Sequence, residues 1–224
     1  MATQSVSPQR PSWLRPKYFV FTIVALMFAY VLRHNESSLL RPHDPVWEHY
    51  RQIQWSLLPH ALAAACALLL GPMQFSDRLR QRFTRLHRVA GRIYVFGVFI
   101  GAPLGVYTQY MDERLGSTRG FTVATILDAT LWITVTGIAF VFATRGMIQQ
   151  HRQWMTRSFA VAIVFLEVRV ITGVTGWDQL PFPVSDRITE TVVWSCVAAS
   201  LLLADIVVYW QDLRRAARQR SSPA

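Results

Sequence analysis

At 224 residues the chain has the length of a single domain, but 52% of it is apolar and only 16% is charged, which excludes an ordinary soluble fold. A net charge of +10 would point to nucleic acid in a soluble protein. Here the charges cluster between apolar runs of roughly fifteen to twenty-five residues, the length that crosses about 30 Å of hydrocarbon. The composition is therefore that of an all-α integral membrane protein, and nucleic-acid binding is excluded. Cys66 and Cys196 each lie inside an apolar run, where a thiol behaves as a small hydrophobe. Neither a disulfide framework nor a metal site is implied.

Residues 1–17 form a polar tail with Arg10, Arg15 and Lys17 ahead of the first apolar run, Tyr18 to Leu32. No small-residue cleavage site follows that run, so it is expected to stay as an uncleaved signal anchor and first span. Arg33 to Ser56 is too polar for lipid, and Trp47, Tyr50 and Trp55 predict a loop and a short interfacial helix. The second span is predicted over about 57–75, opened by Pro59 in its first turn and loosened at its end by Gly71-Pro72.

Ser76 to Arg92 follows, with six arginines against one aspartate. The third span, about 89–110, carries Gly97, Gly101 and Gly105 at four-residue spacing, a flat seam for close helix approach, and Pro103 predicts a kink. A fourth span over about 121–144 has a polar side at Thr122, Thr125, Asp128 and Thr136. A fifth covers about 155–175 with Glu167 and Arg169 inside it, and a sixth about 188–210 precedes a basic tail, 211–224. In this six-span reading the second to fifth helices form a four-helix core with the first and sixth packed around it.

Twenty-two of the 23 basic residues are Arg. Sixteen fall in the two tails, the Ser76–Arg92 stretch and the 145–157 region, six on the opposite side, and Arg169 within a span. The positive-inside rule then puts both termini in the cytoplasm, and the bundle is expected in the cytoplasmic membrane.

Two helix entrances repeat: LHRVAGRIYVF at His87 and QHRQWMTRSFAV at His151, each with His-Arg and a further arginine before apolar residues. A tandem two-helix repeat would bring His87 and His151 to matching depths, related by a pseudo-axis along the membrane normal. Two neutral imidazoles on facing helices suit a b-type haem, with Arg88, Arg92 and Arg152 as anchors for anionic groups. Against that stands the alternative that His-Arg caps a helix entrance and meets lipid phosphates. A second polar set, His60, Asp128, Glu167 and Arg169, falls in the outer half of the bilayer, and pairing of Arg169 with Asp128 or Glu167 is the minimal expectation. Asp205 has Arg88, Arg92 or Arg157 within snorkelling distance.

His60 in a helix ending Gly71-Pro72, His87-Arg88 with Gly91-Arg92-Ile93-Tyr94, His151-Arg152 with Trp154-Met155, and Arg169 together resemble the bacterial predicted membrane proteins catalogued as domain of unknown function 2306. The resemblance covers about Leu57 to Trp177 and implies that these positions form the family's core. A looser similarity is to the di-haem cytochrome b and ferric reductase-like four-helix proteins. Here only His60 lies inside a helix without a second intramembrane histidine, which leaves one haem at the end of His87 and His151. Three functions stay open: a redox-associated protein binding haem b or a quinone and meeting a redox partner, a proton-coupled transporter using His60, Asp128, Glu167 and Arg169, and a non-catalytic scaffold in contact with membrane lipids.

Overall fold

A computed structural model describes residues 16–35, 46–181 and 184–220. In order they form α1 (Pro16–His34), α2 (Val46–Gln74), α3 (Asp77–Arg82), α4 (Thr84–Arg114), α5 (Arg119–Thr144), α6 (Ile148–Ala162), α7 (Val164–Thr175), a 3-10 turn (Trp177–Gln179) and α8 (Val184–Arg220). No strand occurs among the described residues. Hydrocarbon cannot hydrogen-bond a backbone, and helices satisfy every amide within the segment. Five helical segments among the described residues are long and apolar enough to cross a membrane, with α6 and α7 together making one of them. The apolar helix Tyr18–His34 is shorter. The polar tail before residue 16 and most of the loop before α2 lie outside the described residues.

The helices are longer than their apolar runs, and the polar flanks explain why. α2 begins at Val46, so the expected interfacial helix is continuous with the span, and Pro59 lies well inside α2 rather than in its first turn. Nothing between Val46 and Pro59 breaks a helix, and a proline there removes only one backbone bond. α4 starts at Thr84 and α6 at Ile148, a few residues earlier than predicted, which draws both His-Arg pairs into helix. α8 likewise carries the basic tail as helix to Arg220. α4 runs unbroken through Pro103, whereas the fifth span is interrupted at Ile163, between α6 and α7. Gly176 ends α7 in the left-handed conformation, with φ 71°, as a helix C-terminus often requires.

α2 packs most extensively on α4, and α4, α5 and α6 pack in sequence; α8 lies against α5, α6 and α7, and α1 against α7. The glycine seam is the reason α2 comes so near. A Cβ on Gly97 would stand 3.0 Å from the Ala63 carbonyl oxygen, and one on Gly101 3.2 Å from Ala63 Cβ. In lipid such close backbone approach supplies much of the association energy between helices. α1 follows α6 and α7 lengthwise: Phe21 meets Phe75 and Phe159, with ring centroids 5.9 and 6.3 Å apart, while His34 at the other end meets Asp178 at 3.1 Å.

Gly97→Ala should lower the thermal stability of the detergent-purified protein by about 1–3 kcal/mol, because backbone must move to admit the methyl group. Gly137→Ala, whose new Cβ would stand 3.6 Å from Phe99, should leave the melting temperature nearly unchanged.

Candidate functional site

The first turns of α4 and α6, the turn helix α3 and the last turns of α8 make one arginine-rich end of the bundle. His87 is the fourth residue of α4 and His151 the fourth of α6. His151 Nδ1–H donates to the Ala139 carbonyl at 2.8 Å, which fixes the ring proton on Nδ1 and leaves the Nε2 lone pair unused by that bond. His87 Nδ1 is buried and has no hydrogen-bond partner. The His87 ring lies within electrostatic reach of His151, Arg80 and Arg88. Arg152 is likewise near Arg80, Arg215 and Asp77, and Arg88, Arg92 and Arg152 are all exposed. Gln153 donates to Asp212 at 2.7 Å and ties the start of α6 to α8.

Toward the middle of the bundle the space between α4 and α6 is closed by hydroxyls. Those of Tyr94 and Ser158 share a hydrogen bond of 2.8 Å, and those of Ser158 and Thr136 one of 2.6 Å. Tyr94, Ser158 and Thr136 are fully buried. Tyr94 and Ser158 are 64 residues apart, the separation of His87 and His151. Residues at equivalent repeat positions touch one another only near the axis that relates the repeats. Burial follows the same shift of 64: Tyr94, Gly97, Val98, Ala102 and Thr108 correspond to Ser158, Val161, Ala162, Leu166 and Thr172, all buried. Ala90 and Gly101 map onto Trp154 and Phe165, which are half-buried. Thr108 and Thr172 even repeat the same bond, each hydroxyl donating to the carbonyl four residues back, at 2.8 and 3.0 Å.

The second polar set is dispersed among different partners. His60 Nδ1–H donates to the Gly101 carbonyl at 2.7 Å, and its ring lies where a side chain on Gly105 would be, 2.7 Å from that position to Cε1. Glu167 accepts a hydrogen bond from Ser200 at 2.8 Å. Asp128 is 3% exposed, and its Oδ1 has no hydrogen-bond partner. Glu167 and Arg169 stand two residues apart on α7 and so face different sides of it, and Asp128 lies on α5. Asp205 does find an arginine, Arg157, with Nε to Oδ1 at 2.7 Å. Under the shift of 64, His60 corresponds to Ala124, so only the pair at the arginine-rich end is duplicated.

The family model described as predicted membrane protein, DUF2306, matches residues 57–208. The chain belongs to this family. The match runs past Trp177 through most of α8, so the family's unit includes the last span, which the sequence resemblance left out. No curated protein and no solved structure matches the chain. Within this DUF2306 unit the hydroxyl triad is the feature that sequence reading missed. Tyr94 stands in the repeated entrance, seven residues after His87, as Ser158 does after His151, and that shared offset was the available signal.

Ser158→Ala would strand the Tyr94 and Thr136 hydroxyls in the core and should cost about 1–3 kcal/mol. Thermal melts should show Tyr94→Phe and Ser158→Ala to be non-additive, the double variant losing less than the sum of the singles.

Proposed function

We propose that this chain is a haem b protein of the bacterial cytoplasmic membrane, in which His87 and His151 would hold the haem and Arg88, Arg92 and Arg152 would meet its carboxylates. The observation that carries the reading is the pair of duplicated imidazoles at one end of the bundle, within electrostatic reach of each other, one tautomerically fixed and one with a buried, unpartnered nitrogen. A ligating histidine ordinarily donates its second ring N–H to a carbonyl or carboxylate, as His151 does to Ala139. Bound there, the haem would supply one-electron transfer at the membrane face. The protein's part is to orient the rings: α5 aims His151 through Ala139, and the Tyr94–Ser158 contact closes the bundle two turns further in. Their histidines sit near a helix start, so the group would be reachable by a soluble redox partner or a quinone.

The orientation belongs to the same reading. α1 serves as a sixth span beside α6 and α7, and Arg80, Arg152 and Arg215 face the cytoplasm with both termini. A C-terminal green fluorescent protein fusion should therefore fluoresce, and alkaline phosphatase fused after Gly116 should be active. The reverse pattern would invert the topology.

Expressed with haem supplementation and purified in mild detergent, the protein should show a Soret band and the sharp reduced bands of six-coordinate haem b. His87→Ala and His151→Ala should each abolish the six-coordinate spectrum, while His60→Ala should retain it. A colourless wild-type protein, or a spectrum indifferent to both histidines, would end the proposal.

A further inference from the structure

The two His-Arg entrances differ in what stands behind each imidazole. His151 Nδ1–H donates to the carbonyl of Ala139, twelve residues back on α5, at 2.8 Å. The residue twelve before His87 is Phe75, and there the helix has already ended: α2 stops at Gln74, and the Phe75 and Ser76 amides bond back to Pro72 and Met73 in tight turns. The carbonyl that serves His151 thus has no helical counterpart, and His87 Nδ1 is buried without a hydrogen-bond partner. What stands nearby instead is the side chain of Gln74. Its Oε1 lies 3.1 Å from where a Cβ on Gly91 would be, and its Nε2 is buried and also lacks a hydrogen-bond partner. Gly91 is one turn along α4 from His87 on the same face, and side chains lean toward the helix start, so the space over Gly91 leads to the His87 ring. The shift of 64 puts the buried Met155 at the position of Gly91. Where the second half carries a methionine, the first has a glycine that leaves room for a carboxamide.

We propose that Gln74 is the positioning residue of His87, its carboxamide oxygen accepting the Nδ1–H proton when His87 Nε2 holds a ligand, as the Ala139 carbonyl does for His151. This rests on the reading that the two imidazoles hold a common group. A carboxamide carries an acceptor and a donor of nearly equal size at its tip, so a half-turn about its last bond exchanges one for the other without changing the packing. The backbone carbonyl behind His151 can only accept, which holds that ring with its proton on Nδ1. His87 can be met in either state, by Oε1 when Nδ1 carries the proton and by Nε2–H when it does not. Two unpartnered polar atoms on neighbouring turns, complementary in both senses, are relieved by rotation of one side chain. Gly91 permits that rotation, because a Cβ there would crowd the carboxamide. A ligating imidazole whose Nδ1–H is bound to an oxygen is more basic and keeps its ring angle.

Gln74→Glu and Gln74→Leu test this in the full chain. In detergent without haem, the ring-nitrogen magnetic resonances of His87, assigned by their loss in His87→Ala, should move in both variants while those of His151 stay. With haem supplied, Gln74→Glu, whose carboxylate is the stronger acceptor, should lower the midpoint potential, and Gln74→Leu, which has no acceptor, should raise it. Gly91→Met, which installs the residue of the other entrance, should act in the direction of Gln74→Leu. Gln74→Glu keeps the shape of the side chain, so it decides the matter if Gln74→Leu does not fold. His87 resonances unmoved in Gln74→Glu, or a loaded Gln74→Glu protein with the wild-type potential, would overturn the assignment. A wild-type protein that takes up no haem removes the histidine-site reading, and the ring resonances of the unloaded protein then still decide whether Gln74 partners His87.

Discussion

Three hydroxyls at the centre of the bundle hold the arrangement that everything else depends on. Tyr94, Ser158 and Thr136 come from α4, α6 and α5, and their two short bonds join three spans at one point that water does not reach. In lipid there is no hydrophobic force between helices, so shape and a few polar contacts must decide which faces meet. The triad fixes the rotation of α4 and α6 about their own axes. The glycine seam then fixes how close α2 comes to α4. With those two constraints met, the direction of every other side chain on α4, α5 and α6 follows from the helical period.

The 64-residue shift that relates the two His-Arg entrances also relates Tyr94 to Ser158. Equivalent helices packed about an axis need only one set of close contacts near it, and Tyr94 with Ser158 is that set. What differs between the halves is more telling. The histidine at the helix start is kept in both, at His87 and His151, whereas His60 in the first half corresponds to Ala124 in the second. The repeat therefore concentrates imidazole chemistry at the arginine-rich end. Toward the other end it leaves His60 engaged with the Gly101 carbonyl and Asp128 without its full complement of hydrogen bonds.

Two ion pairs contribute little to holding the fold. Arg157 with Asp205 and Arg80 with Asp77 are part-exposed pairs, each worth about 0–1 kcal/mol. Trp154 and Trp210 add cation–π contacts to Arg157 and Arg214 at 5.0 Å. Such contacts anchor helix ends near the water interface and set depth more than stability.

The amino-acid sequence by itself determined the class of protein, the places of five apolar segments long enough to cross a membrane, the four-residue glycine repeat and the spacing of the repeated His-Arg entrances. These are local or periodic properties: hydrocarbon selects apolar runs of a given length, and a four-residue glycine repeat lies on one helix face in any context. The precise helix starts escaped it, because polar residues such as Thr84 and Gln149 continue a helix as readily as they leave it. Only the tertiary structure decided which partner each buried polar group takes. Arg157 rather than Arg88 or Arg92 reaches Asp205, Ser200 reaches Glu167, and Tyr94 meets Ser158 across the bundle. Those choices depend on the relative rotation of helices far apart in sequence, and spacing along a chain carries no record of rotation until the helices are packed.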